Sequence, residues 1–434
     1  MHLPVRYLKN QKLLLSILSI GLLVRLIYLD KIPEGLSIKE AQLGWRVQNI
    51  HNSIFLLRLP SALFGLFSIA LVYLVTIQLF PRQKRLALIT SFLICFSPWN
   101  VYLSRELSEE IFAFVFLLAA AFFIFNKNPR PIVASLFFIL SILFYAIGWD
   151  FNYLTDTSKL GEINLLRGES SQAGLSFAGR LFFNKFSFLV TGVLSHIFVN
   201  TSPSFIFTFP LLISFFPIFL FGLFYFVRQK NPKFNLLFYW LILGFVLSIF
   251  VKDTPDFKGI IFAYYPLTVI CAYGLAKIRP KVVLLIISLV VVLNFFLELN
   301  HALVKGYWAD TNLWHPETLE VAVYLVNSEK QVWLSDALDP NPGPAIAFLN
   351  KISFSLSNLA SSKMYLDGWV SVLGNLKIGN YEELFHNKLL FEEYIVSKKD
   401  REKFEKDMAC RKIESNLIKN YFIYNDCQWK EKNY

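Results

Sequence analysis

Nine apolar stretches fill most of the first 299 residues of this 434-residue chain, with polar or basic segments between them. A helix needs about 20 mainly apolar residues to cross the hydrocarbon core of a bilayer, and most of the stretches approach that length. The stretches are Leu13–Leu29, Leu59–Phe80, Leu86–Ser97, Leu107–Phe125, Ile132–Trp149, Phe205–Val227, Phe234–Val251, Ile260–Ala276 and Val282–Leu299. Because 55% of the residues are hydrophobic and only 17% are charged, a soluble core of this size cannot bury the apolar surface. We therefore predict a mostly α, polytopic helical membrane protein with about nine transmembrane helices.

The positive charge of the chain lies between these stretches. The formal net charge is +11, which in a soluble protein would suggest nucleic-acid binding. Residues 300–434, however, contain 16 Lys and Arg and 18 Asp and Glu. The whole positive excess therefore lies in the apolar region before residue 300. This distribution is typical of membrane topology, and we predict no nucleic-acid partner.

Five basic segments without any acidic residue set the predicted orientation. They are Arg6–Lys12, Arg82–Arg85, Lys127–Arg130, Arg228–Lys233 and Lys277–Lys281. All five fall on the cytoplasmic side if nine helices alternate from a cytoplasmic N-terminus. We therefore expect a multi-pass protein of the cell membrane whose C-terminal region is extracytoplasmic.

The composition changes near residue 300, which predicts two domains. A transmembrane domain covers residues 1–299, and a small soluble α/β domain of ordinary domain size covers residues 300–434. In the second domain, hydrophobic patterning predicts strands at Gln331–Asp336, Glu393–Ser397 and Lys419–Asp426 and helices at Pro316–Asn327 and Lys398–Met408.

The four cysteines fall into two groups. Cys95 and Cys271 lie in apolar stretches and suit small buried apolar residues. Cys410 and Cys427 lie in the external domain, where a disulfide bond can persist. The sequence leaves open whether these two residues pair.

Glu40 stands out in the first external loop. Ser37 and Glu40 have the spacing of a capping box, in which each side chain bonds the backbone of the other, at the start of a short interfacial helix near Ala41–Val47. A carboxylate at the membrane surface is equally suited to act as a general base. Both interpretations stay open.

The second external loop leads into an apolar stretch through Arg105, Glu106, Glu109 and Glu110. Charged groups at the ends of membrane helices are costly unless they are paired or solvated. Arg105 and Glu109 are i,i+4 neighbours, which predicts a pair on one helix face, whereas Glu106 and Glu110 would repel each other. Acids that complement a helix dipole explain one or two of these residues but not all three. We therefore predict a substrate-binding role for Arg105, Glu106 and Glu109.

These loops resemble one enzyme family. The residues that carry the resemblance are Pro33-Glu34-Gly35, Lys39-Glu40-Ala41, Arg58 to Gly65, Ser97-Pro98-Trp99, Ser104-Arg105-Glu106 and Glu109. Their order is similar to that in the polytopic GT-C glycosyltransferases, which include the protein O-mannosyltransferases and the lipid A aminoarabinose transferases. The resemblance covers residues 13–126.

The resemblance implies transfer of a sugar, with inversion, from a polyprenyl-phosphate donor to a lipid, protein or glycan acceptor on the extracytoplasmic face. In the family an acidic pair in the first external loop holds the catalytic base. Glu40 matches the second acid of that pair and Lys39 occupies the first position. Only about eighteen residues separate Glu40 from Arg58, fewer than in relatives.

Displacement of a polyprenyl phosphate requires cations beside the leaving phosphate. The external basic residues Lys39, Arg105, Arg180, Lys185 and Lys258 are the candidates. Each also suits an anchor for lipid headgroups, and we favour that interpretation for Arg180 and Lys185. No cofactor is required by the pattern, although two carboxylates near one site would suit a divalent cation.

Three functions stay open. The first is a membrane glycosyltransferase with Glu40 as base, Arg105 and Glu109 as organising residues and Lys258 at the donor phosphate. The second is a non-catalytic relative that acts as a binding or assembly partner in envelope glycosylation, suggested by Lys39 and the short first loop. The third is a transporter or flippase, for which we find no clear inverted repeats or broken helices.

Overall fold

The chain is helical over most of its length and ends in a small sheet. The computed structural model describes residues 5–33, 36–37, 40–41, 43–44, 53–146, 158–174, 177, 180, 183–208, 211–229, 232–247, 260–278, 280–305, 316–325, 330–337, 345–346, 349, 372–373, 375–413 and 421–430.

Helices cover the predicted apolar stretches and, at Pro98–Arg105, Ser158–Gln172 and Lys185–Thr201, also segments between them. They are α1 Val5–Leu26, α2 Ile54–Leu79, α3 Lys84–Cys95, α4 Pro98–Arg105, α5 Glu109–Phe125, α6 Pro131–Ala146, α7 Ser158–Gln172, α8 Lys185–Thr201, α9 Pro203–Thr208, α10 Phe216–Val227, α11 Pro232–Leu247, α12 Ile261–Lys277 and α13 Lys281–Lys305. The predicted stretch Phe205–Val227 is divided between α9 and α10, with a 3-10 turn at Ile213–Phe215. Pro217 lies in the first turn of α10, where its missing N–H has no helical partner to lose.

The number of membrane-spanning helices stays a prediction. Among the described residues, only α2 is by itself long and apolar enough to cross a bilayer. Helices α3 and α4 reach that length together, across a bend of 54°. Helices α6, α11 and α12 are apolar but have only 16 or 17 residues, so their length does not settle the predicted count of nine.

The residues separate into two compact units. Unit 1 comprises Met1–Ile27, Ser61–Ser104 and Ser108–Asn300, and unit 2 comprises Tyr28–Pro60, Arg105–Leu107 and His301–Tyr434. One division falls after Asn300, and the two predicted domains stay a prediction. The segment Tyr28–Pro60, which runs from the end of α1 into α2, groups with the C-terminal residues.

An aromatic cluster forms one end of unit 1. Phe80, Phe226, Phe234 and Tyr273 pack with ring centroids 4.7 to 6.2 Å apart. Each of these rings lies a few residues from a basic segment, and Lys233 Nζ donates a hydrogen bond to the Gln78 carbonyl oxygen at 3.4 Å. Three of the five basic segments therefore meet at the same end of this unit.

Small residues let the helices of unit 1 approach closely. A Cβ atom on Gly222 of α10 would lie 2.2 Å from the Ile270 carbonyl oxygen of α12, and one on Gly274 would lie 2.5 Å from the Ile218 carbonyl oxygen. Only glycine fits at this crossing, as is common where helices pack in membranes.

Unit 2 contains a mixed six-stranded sheet of order β2-β3-β1-β4-β6-β5. Its elements are α14 Pro316–Leu325, β1 Val332–Ser335, β2 Val372–Leu373, β3 Leu376–Gly379, α15 Tyr381–His386, β4 Glu393–Ser397, α16 Arg401–Asp407, β5 Met408–Ile413 and β6 Tyr421–Trp429. Strand β1 pairs in parallel with β3 and β4, and the other pairs are antiparallel.

The central strand β1 is buried on both faces. Val332 and Leu334 pack in one apolar cluster with Ile395, and Trp333 packs in a second cluster with Tyr394. This follows from the two-residue period of a strand. The predicted helices and the strands β1, β4 and β6 are thus confirmed to within a few residues, whereas β2, β3, α15 and β5 were not predicted.

Strands β5 and β6 are joined by a disulfide bond between Cys410 and Cys427, whose Cα atoms lie 4.2 Å apart. The structure thereby answers the question that the sequence left open. The bond closes a segment of 17 residues and so restricts the unfolded chain.

Removal of this bond is expected to destabilise the edge of the sheet. For a loop of this length, Cys427→Ser should lower the free energy of unfolding by about 3 kcal/mol. Hydrogen exchange of the β5 and β6 amides in the full-length chain measures the change, and reduction of the wild-type protein serves as the control. Titration of four free thiols in the denatured, unreduced chain would contradict the pairing.

Asp336 directly follows β1 and lies near other carboxylates. Burial raises the pKa of Asp336, and the carboxylates of Asp400 and Glu383 raise it further. Asp400 Oδ2 itself accepts hydrogen bonds from the hydroxyls of Ser335 and Ser397, at 2.5 and 3.2 Å. The folded domain therefore favours the protonated form of Asp336 more than the unfolded chain does.

When folding raises the pKa of an acid, the folded state becomes less stable as the pH rises from the ordinary pKa of about 4 through the raised pKa. Asp336→Asn should therefore stabilise unit 2 at pH 7, and the difference from the wild type should vanish as the pH approaches 4. Hydrogen exchange of β1 and β4 in the full-length chain tests this. The exposed carboxylate Glu402 supplies the control, since Glu402→Gln should show no such trend, and equal profiles for both variants would refute the assignment.

Candidate functional site

The Glu40 side chain is fully buried within unit 2. The predicted capping box is confirmed: Ser37 N–H donates to Glu40 Oε2 at 3.1 Å, and Glu40 N–H donates to Ser37 Oγ at 3.3 Å. Residues 40–41 and 43–44 are helical, and the rest of the predicted interfacial helix lies outside the described residues.

Glu40 forms a bidentate ion pair with Arg58, which is also fully buried. Arg58 Nε lies 2.9 Å from Glu40 Oε1, and Nη2 lies 3.0 Å from Oε2. The remaining Arg58 nitrogen, Nη1, donates to the carbonyl oxygens of Leu29 and Pro33 at 3.1 and 3.0 Å. The pair thus connects the start of α2 with both ends of the segment 29–33.

A second arginine holds the same segment. Arg105, at the end of α4, donates from Nη2 to the Tyr28 and Ile32 carbonyl oxygens at 3.0 and 2.9 Å. Tyr28 has a φ of 52°, a conformation that L-residues rarely adopt, and the bond to its carbonyl helps to hold it. Two residues further on, Leu107 N–H donates to Glu40 Oε1 at 3.0 Å.

Glu40 therefore accepts four hydrogen bonds, two on each carboxylate oxygen. The donors are Arg58 Nε and Leu107 N–H for Oε1, and Arg58 Nη2 and Ser37 N–H for Oε2. A carboxylate has about four acceptor positions, so these donors occupy the full capacity of Glu40. We call Glu40, Arg58, Ser37 and Leu107 the carboxylate clamp.

The apolar surroundings of the clamp belong to the C-terminal sheet. Leu36, Ala41 and Leu57, each next to a clamp residue, are buried in one core with β1 and α14, and Leu107 packs against that core. The members from the C-terminal residues include Val321, Ala322, Val332 and Leu334. The geometry of the segment between α1 and α2 therefore depends on residues almost 300 positions away in sequence.

The predicted helical pairing of Arg105 with Glu109 needs correction. Helix α4 ends at Arg105 and α5 begins at Glu109, so the two residues are not i,i+4 neighbours on one helix. The break occurs because Ser108 has an extended backbone at the N-cap position of α5. Its hydroxyl donates to Glu110 Oε2 at 2.6 Å, and Glu106 lies half-buried in the break.

The remaining predicted site residues are not brought together by the described part of the chain. Lys39 and Lys258 lie outside the described residues, as does the Lys185 side chain. Arg180 is exposed. Within the described residues, no group of three or more His, Cys, Asp and Glu side chains is arranged to hold a metal ion.

Two buried arginines were missed as site residues by sequence reasoning. Arg58 enters the sequence analysis only as part of a family-like run, although a charged residue at the end of an apolar stretch is itself a signal of a paired side chain. Arg25 of unit 1 is also fully buried and donates from Nη2 to Asn100 Oδ1 at 2.5 Å. Asn100 Nδ2 in turn donates to Ser68 Oγ at 3.0 Å, so this network ties α1, α2 and α4 together.

Comparison with solved structures identifies the fold. ArnT from Cupriavidus metallidurans, a lipid A aminoarabinose transferase, superposes with a TM-score of 0.55 over 94% of this chain and 97% of its own, at 12% identity in the apo state and 11% with undecaprenyl phosphate bound. This chain has the GT-C fold. An oligosaccharyltransferase from Archaeoglobus fulgidus, tethered to an acceptor peptide, matches with a TM-score of 0.46 at 12% identity over 97% of this chain and 74% of its own.

The GT-C fold confirms the resemblance that the loop residues carry, at the level of architecture. No protein-family model and no curated protein sequence matches the chain. Because one fold can host different chemistries, the activity has to be argued from the site itself.

Replacement of Arg58 is expected to destabilise the GT-C chain strongly. Arg58→Ala leaves the Glu40 carboxylate buried without its charge partner, which typically costs about 3–5 kcal/mol. Glu40→Leu combined with Arg58→Met should recover most of this loss. Thermal unfolding of the full-length protein in detergent measures the stability, with Arg180→Ala at an exposed position as control.

The exchange rate of the Leu107 amide supplies a local measurement. Its N–H donates to Glu40, so Glu40→Leu should accelerate exchange there more than at neighbouring helical amides. An unchanged Leu107 rate together with an Arg58→Ala protein of wild-type stability would contradict the clamp.

Proposed function

We propose that this protein is a membrane glycosyltransferase that moves a sugar from a polyprenyl-phosphate donor to an envelope acceptor on the extracytoplasmic face. The observation that carries the proposal is a GT-C fold over almost the whole chain, with a buried carboxylate held in the first external loop. ArnT was solved with undecaprenyl phosphate, a lipid of the proposed donor class.

Membrane insertion with a cytoplasmic N-terminus is part of this proposal. The aromatic cluster at one end of unit 1 supports it, because the basic segments near residues 82–85, 228–233 and 277–281 meet there. Clustered Lys and Arg at one end of apolar helices favour that end as the cytoplasmic one.

The reaction requires two kinds of group. A base must take the proton of the acceptor hydroxyl, and cations must stabilise the charge that grows on the leaving phosphate. Glu40 is the proposed base, and Lys39, Arg105 and Lys258 are the proposed phosphate contacts. Arg180 is a substrate-binding candidate for which the anchor to lipid headgroups stays the favoured interpretation. Glu106 and Glu109, next to Arg105 in sequence, are proposed to orient the substrates.

The clamp restricts how Glu40 can act as a base. Since four donors already fill its acceptor positions, an acceptor hydroxyl reaches Glu40 only after one donor withdraws. Ser37 and Leu107 donate neutral backbone N–H groups, whereas both Arg58 bonds join opposite charges and are stronger. We therefore propose that binding of the acceptor displaces the Leu107 or the Ser37 N–H and leaves Arg58 in place.

A second candidate is a non-catalytic relative that binds lipid-linked sugars or assembly partners. The saturated clamp favours it, because Glu40 then has a complete structural role without chemistry. The presence of Lys39 at the position of the first family acid agrees with this candidate.

Transfer from a radiolabelled polyprenyl-phosphate sugar by the purified full-length protein in detergent tests the function. If Glu40 is the base, Glu40→Gln should lower kcat by a factor of about 10²–10⁴ with little change in KM, and the acidic limb of the pH profile should disappear. If Glu40 only positions the loop, Glu40→Gln should lower kcat by a smaller factor and the pH profile of the activity should keep its shape.

Glu402→Gln, at an exposed position of α16, is the matched carboxylate control and should keep full activity. Absence of transfer by a correctly folded wild-type protein with several donor sugars would refute the proposed transferase activity. Appearance of transfer in the Lys39→Asp variant of such an inactive protein would identify it as a relative that has lost its chemistry.

A further inference from the structure

Two cations lie over aromatic rings at the end of unit 1 that carries the aromatic cluster. Lys277 Nζ lies 5.1 Å from the ring centroid of Tyr273, a member of that cluster. The guanidinium carbon of Arg228, two residues after Phe226 of the same cluster, lies 3.8 Å from the Phe224 centroid. A cation within about 6 Å of a ring centroid is attracted to the ring face. The rings therefore hold these two charges in defined places at the ends of α10 and α12.

The ends of α10 and α12 lie close together. Their backbones touch where Gly222 crosses Gly274, because a Cβ atom on Gly274 would lie 3.0 Å from the Gly222 Cα atom. Arg228 follows this crossing by six residues and Lys277 follows it by three, so each lies within about two helical turns of the contact. Both cations therefore belong to one small area of unit 1.

This area combines uncompensated positive charge with exposed apolar surface. Within the described residues, neither Arg228 nor Lys277 forms an ion pair. The adjoining side chains of Phe224 and Val227 are 50% and 68% exposed. An occupant that matches this surface carries a negative charge and apolar chains in the same molecule.

An anionic phospholipid has this chemistry. The planar guanidinium of Arg228 presents paired N–H donors that match two phosphate oxygens, and the ammonium of Lys277 adds a compact second charge. A zwitterionic lipid carries its own ammonium group beside the phosphate, which the two cations would repel. Basic sites between apolar helices at the cytoplasmic side of a membrane bind anionic headgroups in this way.

We propose that Arg228 and Lys277 bind the phosphate of one anionic phospholipid of the cytoplasmic leaflet, whose acyl chain lies against Phe224 and Val227. This inference rests on the membrane insertion that forms part of the proposed function. It involves none of the residues proposed for sugar transfer.

Native mass spectrometry of the full-length protein in detergent, delipidated and then supplied with phosphatidylglycerol or phosphatidylethanolamine of equal chain length, tests the site. The wild type should retain one phosphatidylglycerol in preference to phosphatidylethanolamine. Arg228→Gln and Lys277→Gln should each lower this preference about fivefold, the effect of one cation near a lipid headgroup. Phe224→Leu keeps an apolar side chain but removes the ring under Arg228, and should lower the preference about two- to fivefold.

Arg130→Gln is the matched control, because Arg130 is an exposed cation on the same predicted side of the membrane but lies outside the aromatic cluster. It should keep the wild-type preference. An equal loss in Arg130→Gln and Arg228→Gln would indicate a general attraction of basic segments for anionic lipid and would overturn the proposal. Equal retention of both lipids by the wild type would do the same.

Two further outcomes separate the lipid site from its alternatives. Displacement of the bound lipid by an equal concentration of glycerol phosphate would identify a site for a free phosphate and overturn the lipid assignment. Sugar transfer by a protein without the phosphatidylglycerol preference would refute the lipid site alone. A chain that stays in the aqueous phase without detergent would instead refute membrane insertion, and the proposed function with it.

Discussion

The burial of one carboxylate and one guanidinium governs the architecture of the segment between α1 and α2. Glu40 and Arg58 are both fully buried, and removing two charges from water is favourable only when their geometry is good and their other polar atoms are bonded. Here both conditions are met, because the pair is bidentate and each partner makes further bonds to the backbone. Within the segment 28–33, Arg58 and Arg105 hold the backbone through its carbonyl groups: Arg58 donates to Leu29 and Pro33, and Arg105 donates to Tyr28 and Ile32.

The apolar residues around this ion pair share a core with the C-terminal sheet. Leu36, Ala41 and Leu57 flank the pair and are buried with residues of α14 and β1. Unit 2 is therefore one folding unit assembled from distant parts of the chain, and the C-terminal residues are a structural requirement of the loop that carries Glu40. This gives the C-terminal region a physical role that does not require it to bind a substrate.

The sequence predicts those features that depend on local patterns. The apolar stretches predict helices, the Ser37 and Glu40 spacing predicts a capping box, and β-branched residues predict β1 and β4. Features that depend on distant residues cannot be predicted from these local patterns. Arg58 and Glu40 are eighteen positions apart, across a segment whose path no periodicity reveals. Strand β3 has only four residues, and β5 follows α16 without a turn, so the Met408 region resembles the end of the helix. The break between α4 and α5 was likewise hidden, because Arg105 and Glu109 have helical spacing but Ser108 has an extended backbone.

The GT-C fold by itself leaves the chemistry open, since loops rather than the scaffold carry function in such proteins. What distinguishes an active transferase from a binding relative here is the strength of each bond to Glu40. Both Arg58 contacts join opposite charges in a buried site, and their loss would leave an uncompensated charge. The Leu107 N–H, by contrast, belongs to the short connection between α4 and α5, and the Ser37 N–H belongs to the turn before the capped helix. A backbone N–H that leaves the carboxylate can bond an incoming hydroxyl or water, so its withdrawal costs far less than separating the ion pair. Under the proposed function, access of an acceptor to Glu40 is controlled by these two loop segments, and a chain in which neither segment moves would retain the fold and the ion pair without the reaction.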